Sequence, residues 1–295
     1  MSAMCIGDSG RRDLIGRRGF LLGAGALCGG CASEGLFPRG GETGAAIRIA
    51  HCGDPQFAFG TSLDDPKHEP KYKADLERFE RTVEAVNALR PDLCFIAGDM
   101  VNVASEMERD WPRLMGLFRV PVVVTPGNHD MGNSLTRENV ERFERVFGYE
   151  YRSVKVGRWR FVSGNSQYWR PTEEVGRKAR YEKWLADELA AAKANGEPVI
   201  LGTHCAPFMR TMDESDDYEN YPRDGREARF GLYRRSGVRF YLCGHTHRLF
   251  MRAHRGLTIF NAETTCCNFD GLPYGFRLLT IREDESYSWD FHRIA

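Results

Sequence analysis

The amino-acid sequence predicts an α/β fold: a four-layer αββα sandwich in which two mixed β-sheets are flanked by helices. Three observations carry this expectation. Short apolar runs of strand length recur along the chain, each stopping at a polar or glycine-rich turn. Amphipathic stretches with apolar residues at helical spacing separate them. At 295 residues and 42% hydrophobic content, the chain can bury one large core or two modest ones.

The N-terminus stands outside that pattern. Arg11, Arg12, Arg17 and Arg18 precede a Gly/Ala-rich apolar run over residues 19–30, which is the layout of a signal peptide. The segment Gly16-Arg17-Arg18-Gly19-Phe20-Leu21-Leu22 resembles a twin-arginine export signal. That resemblance implies the twin-arginine export machinery as a partner, and a periplasmic or other extracytoplasmic destination for an already folded protein. Residues 1–32 are assigned to the signal. Lipid anchoring through Cys31 is the minority reading, because Cys28-Gly29-Gly30 matches the usual lipoprotein box poorly. Residues 33–46 are polar and glycine-rich without periodicity and read as a flexible linker, leaving 47–295 as the folded domain.

Within that domain, residues 47–50, 93–97, 120–125, 198–203 and 238–243 read as buried strands. Between them, Leu76, Phe79, Val83, Val86 and Leu89 share one helical face, as do Val140, Phe143 and Phe147, and then Trp184, Leu185 and Leu189. Residues 151–163 alternate around Gly157 as a hairpin, and 257–292 hold further short strands. Helices packed on sheets account for this order. Trp159, Phe161 and Trp184 are assigned to the core, where large rings dominate burial.

Charge and cysteine content exclude several function classes. The 41 basic and 41 acidic side chains cancel, so no long-range positive field draws the protein onto a nucleic-acid duplex or an anionic lipid surface. No apolar run of the mature chain reaches the roughly 18–20 residues that a membrane-spanning helix needs. Nine cysteines, an odd number without repeated spacing, do not form a disulfide framework. Cys52, Cys94, Cys205 and Cys243 fall on or beside strands and read as buried thiols, and the vicinal Cys266 and Cys267 read as structural.

The chemistry lies at five strand ends. Asp54-Pro55-Gln56, Gly98-Asp99, Gly127-Asn128-His129-Asp130, His204, and Gly244-His245-Thr246-His247 deliver carboxylates, an amide and imidazoles. Packing alone does not explain such a set at successive strand C-termini, where α/β sheets place their sites. In order and content the blocks resemble the signature of the calcineurin-like metallophosphoesterases. Within that superfamily the chain is most similar to the branch of complete serine/threonine protein phosphatase-like proteins. The likeness rests on Asp54-Pro55-Gln56-Phe57, Gly127-Asn128-His129-Asp130-Met131-Gly132-Asn133, Asn165-Ser166-Gln167 and Asp216-Asp217-Tyr218.

The resemblance implies a dinuclear site for divalent Mn, Fe or Zn at the strand ends. Asp99 would bridge two cations, Asp54 and His247 would hold the first, and Asn128, His204 and His245 the second. Gln56 stands where most of the superfamily has histidine, and its amide oxygen is a weaker donor than imidazole. Paired cations suit in-line phosphoester hydrolysis, because they share an activated hydroxide and clamp phosphate oxygens. By the same resemblance His129 is the general acid, with Asp130 expected to fix its tautomer and raise its pKa. Asn102, Arg248 and His51 are weaker candidates, and the acidic run 213–219 reads as an exposed loop bordering the cleft.

The function expected is a metal-dependent phosphomonoesterase, including action on phosphoserine or phosphothreonine in proteins. One alternative is a phosphodiesterase for nucleotide or phospholipid diesters. The other is a metal- or phosphate-binding protein weakened in turnover by Gln56. Oligomeric state is left open.

Overall fold

The computed structural model describes residues 18–21 and 46–295. Two six-stranded sheets form its centre. The first has the order β1(Arg18–Leu21), β12(Tyr287–Arg293), β11(Gly275–Ile281), β2(Ile47–Cys52), β3(Leu93–Ile96), β4(Val122–Val124). The second has the order β5(Arg152–Val156), β6(Trp159–Ser163), β7(Val199–Gly202), β8(Val238–Cys243), β10(Leu257–Asn261), β9(Phe250–His254). Strands β2, β3 and β4 run parallel, as do β6, β7, β8 and β10, so their C-terminal ends gather their loops together. The four-layer sandwich expected from the sequence is the observed architecture.

The period of two along each strand divides the apolar residues between two cores. On β3, Leu93 and Phe95 face the other sheet while Cys94 and Ile96 face the helices; on β8, Phe240 and Leu242 face inward while Tyr241 faces out. The inter-sheet layer is built from such residues, with Phe95 and Phe161 meeting at 5.1 Å between ring centroids. The outer layer is covered by α1(His68–Leu89), α2(Met107–Met115), α3(Arg137–Phe147), α4(Val175–Ala194) and α5(Arg226–Arg235). Helix α3 shows how local sequence sets its ends: the Thr136 hydroxyl accepts from Asn139 N, and Gly148 closes the helix at φ 81°.

The hairpin read around Gly157 is β5–β6, and the three helices expected are α1, α3 and α4. Helices α2 and α5 are not expected from the sequence. The first is nine residues long and interrupted by Pro112, and the second buries only Arg226, Phe230 and Tyr233. The backbone of 18–21, inside the segment read as an export signal, lies antiparallel to β12. The rest of the signal, including Cys31, and the linker up to residue 45 lie outside the described residues. Among the described residues no helix is long and apolar enough to cross a membrane, and the six cysteines there are free thiols.

Candidate metal centre

Every donor expected from the sequence stands just beyond a strand end. Asp54 and Gln56 follow β2, Asp99 follows β3, Asn128 follows β4, His204 follows β7, and His245 and His247 follow β8. All seven are buried, none more than 5% exposed. Oxygen or nitrogen donors of Asp54, Asp99 and His204 all lie within 4.8 Å of one another, and a second group joins His204 and His245 with the Cys205 thiol. Turning so many polar side chains into one space strains the backbone. Gln56, Asp99, His245 and His247 adopt left-handed conformations at φ 32°, 49°, 75° and 51°, each at a cost of about 1–3 kcal/mol. Two glycines make room: a Cβ on Gly127 would stand 2.0 Å from Asp99 Oδ1, and one on Gly98 2.6 Å from His204 Nδ1.

The three histidines share one design. His204 Nδ1 faces Ala97 O at 2.7 Å, His245 Nε2 faces Tyr218 O at 2.7 Å, and His247 Nδ1 faces Cys267 O at 2.6 Å. A carbonyl accepts and does not donate, so each ring is fixed with that nitrogen protonated, and on His245 and His247 the other is free as a lone-pair donor. Burial pushes His245 down to about 3 and His247 to about 4, which keeps both rings neutral. Asn128 is oriented in the same manner: its Nδ2 donates to Asn133 Oδ1 at 2.7 Å and to the Tyr218 hydroxyl at 2.6 Å, leaving Oδ1 2.9 Å from His204 Nε2.

Negative charge collects opposite these rings. Burial pushes Asp54 up to about 8, even though both of its oxygens accept from His245 N. For Asp99, burial is outweighed by the charge and hydrogen bond of His204, and its carboxyl lies well below the usual range. Burial would likewise lower His204, but the Asp99 and Asp54 carboxylates, each 3.3 Å away, carry it well above the ordinary imidazole value. Gln56 gives the plainest sign: its side chain is fully buried and neither its oxygen nor its nitrogen has a hydrogen-bond partner. An orphaned buried amide costs roughly 1–3 kcal/mol, and a cation on Oε1 relieves it. The residues present therefore fit divalent metal ions.

One expectation needs correction. Asp130 does not orient His129, because its two oxygens are taken by Met100 N and Gly127 N, each at 2.8 Å. The His129 ring is held instead by Asn102 O, 2.9 Å from Nδ1, and its backbone N donates to Asp99 Oδ1 at 2.8 Å. Asp130 shapes the Gly127–Asn128 turn, and burial with the Asp99 charge pushes its carboxyl up to about 7. The weaker candidates resolve as well. The Asn102 side chain bonds Thr61 O and Gly60 N rather than Asp99. Arg248 is paired with Glu219. His51 is fully buried against Phe95 with neither ring nitrogen bonded.

Tyr218 lies in the Asp216-Asp217-Tyr218 motif, and its role at the site does not follow from the sequence. It comes from the acidic loop, half exposed at 54%, and packs its ring 4.8 Å from that of His245 while its hydroxyl and carbonyl orient Asn128 and His245. Phe269, also half exposed, stacks on His247 at 4.9 Å, and Phe59 meets the same ring at 5.0 Å. The mouth of the site is thus rimmed by aromatic side chains.

Known proteins resemble this chain in sequence and fold. The calcineurin-like phosphoesterase family model matches residues 47–249. Human serine/threonine-protein phosphatase CPPED1 is 28% identical over 249 residues, 79% of either chain. The 3′,5′-cyclic adenosine monophosphate phosphodiesterase CpdA of Escherichia coli strain K12 is 25% identical over 276 residues, covering 88% of this chain and 93% of that relative. In fold, the chain resembles a dimetal phosphatase from Danio rerio with a TM-score of 0.56 at 14% identity, over 83% of this chain and 99% of that one. With the strand-end donors assembled and the family model spanning most of the domain, the chain belongs to the calcineurin-like phosphoesterase family and is a hydrolase of phosphoric esters.

Proposed function

We propose that this protein is a metal-dependent phosphomonoesterase. The observation that carries the reading is the buried donor set with Gln56 orphaned inside it. Asp54, Gln56, Asp99 and His247 would hold one divalent cation, and Asp99, Asn128, His204 and His245 a second, with Mn, Fe or Zn as the candidates. When bound, such ions supply Lewis acidity toward phosphate oxygens and a water nucleophile reactive near neutral pH.

The chain's own residues do the rest. Asp99 receives His129 N, which keeps the acid next to the cation site. His129 Nδ1 is committed to Asn102 O, and Nε2 has no partner among the described residues. The proton for the departing oxygen is therefore carried on Nε2, and the ring returns to neutrality as it is delivered. Similarity to CPPED1 supports monoesters, including phosphoserine and phosphothreonine. A second reading, nucleotide phosphodiesters, is favoured by the exposed rings of Tyr218 and Phe269 and by the similarity to CpdA.

Hydrolysis of p-nitrophenyl phosphate against bis(p-nitrophenyl) phosphate separates the two readings. His129→Ala is expected to lower turnover of an alkyl phosphate about 10²-fold or more, with metal content retained and p-nitrophenyl phosphate, whose leaving group needs no proton, much less affected. Equal loss on both esters would remove the acid role. We also propose folded-state export through the twin-arginine machinery, supported by Arg17-Arg18 and the flanking apolar run. Arg17→Lys with Arg18→Lys should hold the protein in the cytoplasm, and unchanged export would contradict it.

A further inference from the structure

A buried hydrogen-bonded chain outside the metal centre ends on His129. Glu106 and His68 face each other with side chains 9% and 5% exposed, and His68 Nε2 lies 2.9 Å from Glu106 Oε1. The other ring nitrogen, Nδ1, lies 2.9 Å from the Thr61 hydroxyl. That hydroxyl spends its one hydrogen on Ala58 O at 2.6 Å, so toward His68 it accepts. Both ring nitrogens of His68 therefore donate, one to a carboxylate and one to the loop.

From Thr61 the chain continues to the acid. Thr61 O accepts from Asn102 Nδ2 at 2.6 Å, Asn102 Oδ1 accepts from Gly60 N at 3.4 Å, and Asn102 N donates to Phe57 O at 3.1 Å. Asn102 is thus held on three sides, and its one remaining backbone group, the carbonyl, takes His129 Nδ1 at 2.9 Å. A buried carboxylate–imidazole pair is a poor source of stability, since desolvation cancels most of its attraction. Glu106 even keeps Oε2 without a partner. What such a pair does supply is a single geometry.

We propose that His68 and Glu106 are positioning residues for catalysis, which hold the Thr61–Asn102 segment so that the Asn102 carbonyl fixes His129 with its proton-transferring Nε2 toward the departing oxygen. The inference rests on the proposed acid role of His129. Neither side chain of the pair bonds a candidate metal donor, and the pair acts through Thr61 and Asn102. Its loss therefore weakens proton delivery and leaves substrate binding and metal affinity in place.

The experiment compares Glu106→Gln, His68→Gln and the milder Thr61→Val with the parent on two esters. One is p-nitrophenyl phosphate, which needs little help in departing, and the other an alkyl phosphate, which needs a proton. The expected result is a fall in kcat of about tenfold on the alkyl ester, a change below about threefold on p-nitrophenyl phosphate, unchanged KM and metal content, and rescue by Glu106→Asp. Nitrogen-15 NMR of the histidines in the metal-free protein supplies a readout independent of turnover: His129 should be the Nδ1–H tautomer in the parent and a mixture in the variants. Equal losses on both esters, loss of metal, or an unchanged tautomer would overturn the proposal. If His129→Ala itself shows no dependence on the leaving group, it is the acid assignment that falls, while the tautomer still decides whether the pair positions His129.

Discussion

The inter-sheet core and the metal centre are buried to the same depth and are built on opposite terms. Along β3, Leu93 and Phe95 enter the core with ordinary strand geometry and join its apolar cluster. Four residues past Phe95, Asp99 is also about 1% exposed, yet it carries a charge, a left-handed backbone and a bond to His204. The first region is held by area removed from water, about 25 cal/mol per Å². The second is held against strain and desolvation by the first. The sheets are the rigid frame on which an unfavourable cluster of candidate metal donors is kept in place.

Separating the two regions by mutation gives the largest effect. Asp99→Asn keeps the shape of the site but removes the shared charge, and hydrolysis should drop on the order of 10³-fold with the fold intact by circular dichroism. Phe95→Ala should do the reverse, lowering unfolding free energy by about 3–5 kcal/mol while the folded fraction keeps its specific activity. A variant pair that lost both properties together would show that centre and core are not independent.

The pH dependence of the metal-free protein sharpens the comparison. Asp54 is pushed up to about 8 and Asp130 to about 7 by burial, whereas an unfolded carboxyl titrates near about 4. Folding therefore favours their protonated forms. That stabilisation is complete below the unfolded value and is lost as pH rises through the folded values, and the raised His204 adds to the loss above about 6.5. The lowered His245 and His247 oppose this below about 6.5, so the melting temperature of metal-free protein should fall from about pH 6.5 to pH 8, and bound metal should flatten the slope. A profile that rises over this window would contradict the assignment of these groups.

The smallest effect should come from Gln56. Gln56→His replaces an orphaned amide with a stronger donor and should tighten one cation of the pair in a metal titration. Unchanged affinity would place Gln56 outside the coordination sphere.

Much of this was legible in the chain. Strands and helices with clear periodicity, such as 93–97 and the Phe79–Val83–Val86 face, were readable because burial leaves a pattern of two or of 3.6. The candidate donors were readable because they sit in short blocks, each next to a strand end. The contacts that aim them were not. Asn102 acts through a backbone carbonyl, Tyr218 reaches Asn128 across ninety residues, and Asp130 turns to two backbone amides rather than to its neighbour His129. None of these leaves a mark in residue type. Helices α2 and α5 were missed for a different reason, since a proline or a run of arginines hides a short buried face.

The central claim, that the strand-end donors form a two-cation hydrolytic centre, is tested most directly by reconstitution. Metal-free protein is refilled in turn with Mn²⁺, Zn²⁺, Fe²⁺ and Mg²⁺, with bound metal counted and hydrolysis of p-nitrophenyl phosphate and bis(p-nitrophenyl) phosphate followed in the same samples. The account predicts that turnover appears as the second equivalent binds, with the monoester preferred. Two equivalents bound with neither ester hydrolysed would contradict it.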